Sequence, residues 1–122
     1  MAALKIAFEA PDNLPSSSMP RARPIDLVHL ATQTMGDKAL ELEVLQIFAR
    51  QSRQSMKEIG EGGSDQRLAA AHRLKGAARA VGAGDVARAA AAVEDAPESS
   101  AALAGLSAAV IEAELFILKL CR

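Results

Sequence analysis

His72, Lys75, Gly76 and Arg79 stand three and four residues apart in an alanine-rich stretch that contains no proline. A helix turns every 3.6 residues, so these four share one face, with Arg73 beside it. The opposite face reads Leu68, Ala71, Leu74, Ala78 and Val81. The pattern turns a lone imidazole toward water, sets a cation one turn further on, and leaves no side chain at the position four residues after the histidine. Glycine costs about 1 kcal/mol against alanine in a helix interior. Its use at position 76 fits the close approach of another surface. The spacing thus offers an imidazole to something large.

One imidazole has few chemical uses. As a metal ligand it needs partners, and the only other histidine, His29, falls in a different segment with no cysteine or paired carboxylates near it. No metal site is expected. As a general base it needs a nucleophile, and there is no G-x-S-x-G and no Cys/His pairing. The chain carries no G-x-x-x-x-G-K-[ST] loop, so ATP binding through a P-loop is excluded. The remaining use is the imidazole as a nucleophile that accepts a group directly. Arg67, Arg73, Lys75, Arg79 and Arg88 crowd this region, with Asp85 as the nearest acid in the run. Scattered arginines usually mark a solvated helix face. Read functionally, they make a local positive field around the ring, suited to an anion or an acidic partner.

The elements that must position this face are helical. Half of the 122 residues are apolar, many of them alanine, and the only aromatics are three Phe. Strands want more β-branched and aromatic residues than this, whereas Ala, Leu, Glu, Lys, Gln and Arg favour helix. Residues 1–24 differ: Leu4 to Glu9 alternate like a short strand, and Pro11, Pro15, Pro20 and Pro24 forbid a regular helix. They read as an extended N-terminal arm, with Ile6 and Phe8 available to pack on the rest. Ile25 to Thr34 reads as a short helix facing inward through Ile25, Val28 and Ala31. Met35-Gly36-Asp37 breaks it, and Asp37 is placed to cap a long helix over Lys38–Ile59. The inner stripe of that helix is Leu45, Phe48, Ser52, Ser55 and Ile59, widened by Leu42 and Met56. Glycines at 60, 62 and 63 end it. Ser64 or Asp65 is placed to cap a third helix to about Val81. Gly82-Ala83-Gly84 makes a reversal, Asp85 is placed to cap a fourth helix to about Ala96, and Pro97 stops it. Ser99 or Ser100 is placed to cap the last, with stripe Leu103, Leu106, Val110, Ala113, Ile117 and Leu120.

Short loops between long amphipathic helices make neighbours antiparallel. The expected fold is all-α: an up-down four-helix bundle over residues 25–122, with a short additional N-terminal helix and the arm before it. No sustained heptad pattern marks a coiled coil. The net charge of −1 gives no pull toward nucleic acid or anionic lipid. No apolar run is expected to approach the ~20 residues that span a bilayer, and the first residues lack a secretory signal. A cytoplasmic chain without membrane contact is the expectation. The single Cys121 excludes a disulfide framework.

His72-Arg73-Leu74-Lys75-Gly76 with Gly82 resembles the H-x-[LI]-K-G-x5-G signature of histidine phosphotransfer (HPt) domains. The similarity runs from about Ile25 to the C-terminus and includes Phe48, Ala71 and the Gly-Ala reversal after Val81. It implies a phosphorelay carrier with no kinase activity and no cofactor of its own, any Mg2+ coming with the partner. His72 would take a phosphoryl group from the phospho-aspartate of a response-regulator receiver domain, such as one on a hybrid histidine kinase, and pass it to another receiver. The resemblance makes Lys75 the cation for phosphoryl oxygens, carried on an exposed side chain. Gly76 becomes the space beside the ring, and Gly82 the end of the helix. Partner-docking candidates are Leu68, Arg73, Arg79, Gly82 and Glu94. Many members carry glutamine where Glu94 stands. A carboxylate there accepts a hydrogen bond from the ring N–H and also repels incoming phosphate. A monomer is expected. Two other readings compete: an adaptor that binds a receiver without taking phosphate, and a histidine kinase dimerisation domain. Arg73 directly after His72, and no proline before Pro97, speak against the last.

Overall fold

The computed structural model describes residues 23–121, and within them five helices and no strand. They are α1 Leu27–Gln33, α2 Lys38–Glu61, α3 Ser64–Val81, α4 Gly84–Asp95 and α5 Ser100–Leu120. The N-terminal arm, with Ile6 and Phe8, lies outside the described residues up to position 22.

The four long helices form a ring in which α2 packs on α3, α3 on α4, α4 on α5 and α5 back on α2, while α1 covers the α2–α3 end. Helices α3 and α5 stand diagonally across the bundle and do not touch. The expected stripe of α2 is its buried face: Leu45, Phe48, Ser52, Ser55 and Ile59 all point inward. In α5 the buried face is Leu106, Val110, Ala113 and Ile117, with Leu103 packed against it. Small residues dominate between α3 and α4. Ala70, Ala71 and Ala78 on one side meet Ala83, Ala87 and Ala90 on the other, all buried. Alanine lets two helix axes come close, and α3 and α4 share the most extensive contact in the bundle.

The ends of the helices correct several expectations. Helix α1 begins at Leu27, two residues late, because Asp26 caps it: its Oδ1 accepts the Val28 and His29 N–H groups, both at 3.1 Å. That shift turns Leu30 inward and leaves Val28 exposed, against the inward face expected of it. Leu42 and Leu120 are also exposed rather than part of their inner stripes. Met35 and Gly36 both take positive φ, reversing the chain into α2, where Asp37 accepts the Leu40 N–H at 3.1 Å as expected. Neither Ser64 nor Asp65 caps α3: Gly63 holds the cap position without a side-chain bond. Asp85 does not cap α4 either, since Ala83 holds that position and Asp85 sits in the first turn. Two helices therefore start without the side-chain acceptor that their sequence offers. Arg67 satisfies carbonyls near the α2–α3 joint instead. Its guanidinium donates to the Ile59 carbonyl at 2.9 Å and to the Pro97 carbonyl at 3.0 Å, tying the C-terminal end of α2 to the α4–α5 loop. Ser99 caps α5, its Oγ accepting the Ala102 N–H at 3.1 Å.

One expectation about composition also fails. Ser100–Leu120 is 21 residues long with a window of mean hydropathy 1.9, so α5 is long and apolar enough to cross a bilayer. One of its faces is nevertheless part of the bundle core.

Candidate functional site

His72 sits in the middle of α3, and its side chain is 73% exposed. Its backbone is fixed by the buried neighbours Ala71 and Leu74, which point into the core on either side of it. The ring is held by one contact. Nδ1 lies 2.9 Å from Oε2 of Glu94 on α4. The other carboxylate oxygen of Glu94, Oε1, lies 2.5 Å from Nζ of Lys75, one turn along α3 from the histidine. One carboxylate thus joins the imidazole to the ammonium group.

The electrostatics of this triplet are legible from its parts. Glu94 is 21% exposed and Lys75 19%. Hydrogen bonding from Lys75, and then from His72, holds the Glu94 carboxyl below its ordinary value of 4.5, against the opposing effect of burial. Glu94 is therefore an ionised acceptor. It accepts a hydrogen bond from the Nδ1–H of the His72 ring, which selects the tautomer whose free lone pair is on Nε2. The Lys75 charge offsets the carboxylate, so the repulsion that a bare Glu94 would exert on an anion is reduced. Lys75 itself departs from expectation, since its side chain is mostly covered and drawn down onto Glu94. Sequence spacing alone does not reveal this, because the carboxylate comes from another helix.

Gly76 is exposed on the same face as the ring. A Cβ built there meets no heavy atom within 4 Å. Nothing in the chain itself forbids a side chain at this point, and the notch opens to solvent beside the ring. Gly82 serves the fold more visibly than the surface. It has φ +82°, the left-handed conformation that ends α3, and a Cβ there would come within 3.0 Å of the Asp26 carbonyl oxygen and 3.2 Å of His29. Its own carbonyl accepts the Asp26 N–H at 2.8 Å, fastening α1 to the α3–α4 turn.

The remaining candidates spread along α3. Leu68, one turn before His72, is half-buried and shares the histidine's face rather than the opposite, buried one expected of it, because about four residues make one helical turn. Arg79, two turns after His72, is exposed. Arg73 is paired with Glu58 of α2. The expected positive field is largely cancelled. Arg73 has Glu58, Arg67 has Glu98, Lys75 has Glu94 and Arg88 has Asp85. Of the five basic residues grouped by the sequence, Arg79 alone has no carboxylate partner among the described residues. Asp85 lies one turn before Arg88 on the same helix, but the acids that pair with Arg67, Arg73 and Lys75 come from other elements, where no reading of α3 alone finds them. The described residues hold no cluster of three His, Cys, Asp or Glu that could bind a metal ion.

An exposed imidazole hydrogen-bonded to a carboxylate, an ammonium group one turn away and an open notch thus lie together on one face of a helical bundle. The family model of the Hpt domain matches residues 43–116, more than half of the chain and all the residues of the triplet. The chain belongs to the Hpt domain family, whose members are phosphocarrier modules of phosphorelays that work with response-regulator receiver domains. No curated protein and no solved structure matches it.

Proposed function

We propose that His72 accepts a phosphoryl group from the phospho-aspartate of one receiver domain, including one carried by a hybrid histidine kinase, and gives it to the aspartate of another. The observation that carries this reading is the 2.9 Å contact between Nδ1 and Glu94 on an otherwise open ring. The Nε2 lone pair attacks phosphorus in line. The N–P bond forms as the acyl phosphate P–O bond breaks, and the receiver's aspartate leaves as a carboxylate. The ring keeps its Nδ1 proton and becomes cationic, and the Glu94 carboxylate lies against that developing charge. The second transfer reverses these bonds at a new aspartate.

Such a transition state is loose, so positioning and charge do most of the catalysis. Helix α3 supplies position through its alanine-locked contact with α4. Lys75, one turn from the ring, supplies a local cation while it holds Glu94 in place. Gly76 gives room for the loops of the receiver, and Leu68, Arg73 and Arg79 flank the contact. Mg2+ comes with the receiver, and the chain contributes no cofactor and no kinase activity. On this reading the chain works in the cytoplasm, and neither nucleic acid nor a membrane has a part in the transfer.

The test is transfer from a phosphorylated receiver. The chain should acquire an acid-labile, alkali-stable phosphate, and His72→Gln should acquire none. A label that survives in His72→Gln overturns the assignment. Stable receiver binding with no transfer to the wild-type chain would leave the adaptor reading in its place.

A further inference from the structure

Helix α5 carries two apolar faces, and the bundle uses only one. The outward one is Ala101, Ala104, Ala108, Ile111, Leu115 and Leu118, all exposed. Ile111 is 52% exposed, Leu115 54% and Leu118 60%. Their separations alternate between three and four residues, the spacing of a helix–helix seam. No charged residue interrupts the row. It faces away from α3, which stands across the bundle from α5.

We infer that this face pairs with the same face of a second copy of the chain, the two α5 helices running antiparallel about a two-fold axis between Ala109 and Val110. The order of residue sizes carries the assignment. The N-terminal half of the row is alanine and the C-terminal half is Ile and Leu. Antiparallel pairing sets Ala101 against Leu118 of the second copy, Ala104 against Leu115, and Ala108 against Ile111. Every layer then has one small and one large residue, and the surface is complementary to itself, as a two-fold interface requires. A parallel pair would set leucine on leucine at one end, holding the helices too far apart for the alanines at the other end to meet. The charge that would favour the parallel order, Glu114 reaching Lys119 of the second copy, is already spent on Arg53, 3.1 Å away in the same chain. Gly105 flanks the seam with open space around its Cβ position, which permits close approach.

The size of the contact sets its strength. The row spans about 26 Å at ~1.5 Å per residue, on a helix ~10 Å across. Pairing removes on the order of 800 Å² from water in total, below the ~1,200 Å² at which stable interfaces begin and within the range of weak, transient ones. The dimer therefore forms reversibly as concentration rises. Both His72 sites stay open in it. This departs from the monomer expected from the sequence.

Sedimentation equilibrium of the full chain tests the inference. The average mass should climb from 12.7 kDa toward twice that value with concentration. Leu115→Glu should hold it at one chain, with unchanged helicity and unchanged phosphotransfer. In a Cys121→Ser background, Ala104→Cys with Leu115→Cys should cross-link two chains through a short bismaleimide, and Leu115→Cys alone should not. A one-chain mass at millimolar protein overturns the inference, as does a doubled mass that survives Leu115→Glu. Cross-linking through Leu115→Cys alone overturns the antiparallel order. Binding to phosphatidylcholine vesicles by a chain that stays monomeric in solution assigns the face to a membrane instead.

Discussion

Gly76→Ala should make the protein more stable and a worse phosphoryl acceptor, and the opposite signs are the point of the experiment. The added methyl meets no atom of the chain within 4 Å, so the fold has nothing to lose by it. Replacing glycine by alanine in a helix interior contributes about 1 kcal/mol. In a domain of this size that raises the melting temperature by roughly 4–8 °C. The same methyl fills the space one turn beyond the imidazole, on the ring's own face. A receiver loop seated in the notch must draw back by on the order of 1 Å, and misplacement of that size costs up to ~100-fold in a reaction that depends on alignment. Transfer should fall by about 10- to 100-fold. Thermal unfolding by circular dichroism reads the first effect, and a time course of label passing from a phosphorylated receiver reads the second. Gly60→Ala is the control, because a Cβ there also meets nothing and the site lies on another helix, near the end of α2. It should gain stability with no loss of transfer. Wild-type transfer by Gly76→Ala would refute the docking role of the notch, and a fall in its melting temperature would refute the account of its local packing.

Two further tests address the interior. The Glu94 carboxyl is held below its ordinary value of 4.5, first by Lys75 and then by His72. A lowered folded value means that the stability from this group is complete above about pH 4.5 and is lost as pH falls below that. Urea unfolding between pH 7 and pH 3 should show a smaller acid loss in Glu94→Gln than in the wild type, and parallel curves would rule out the ion pair as its source. Ser52 is buried with no hydrogen-bond partner for its Oγ, and a buried unmade bond costs about 1–3 kcal/mol. Ser52→Ala should stabilise the protein by about 1 kcal/mol in chemical denaturation, the upper part of that range being offset by the small cavity left behind.

The inner faces of α2 and α5 and the placing of His72 and Gly76 are legible in the residue order, because each depends on one helix and its 3.6-residue period. What crosses between helices is not. The carboxylates that cancel the arginines come from positions as far as 31 residues away, as Glu98 does for Arg67. Lys75 reads as a free cation until Glu94 is seen beneath it. Caps fail for a related reason: Ser64 and Asp65 are good caps in isolation, but the Ser64 hydroxyl donates to Glu98 from the α4–α5 loop, and the helix starts from Gly63 without a side-chain cap. Val28 shows how little error is needed, since a two-residue shift in the start of α1 trades it for Leu30. Buried Glu41 stands four residues before Leu45, on the same stripe of α2, but its charge hides that burial. Its partners are the Thr34 hydroxyl at 3.3 Å and Lys38 at 3.6 Å, and it would have looked like one more solvated acid.

The alanine seam between α3 and α4 has a consequence for how a message leaves this protein. Neither helix can slide or tilt without driving methyl groups into backbone, so the platform under the imidazole is stiff. Gaining a phosphoryl group has no hinge to work on there. The loaded and unloaded forms should superimpose, and a downstream receiver reads the cargo itself rather than an altered shape of its bearer.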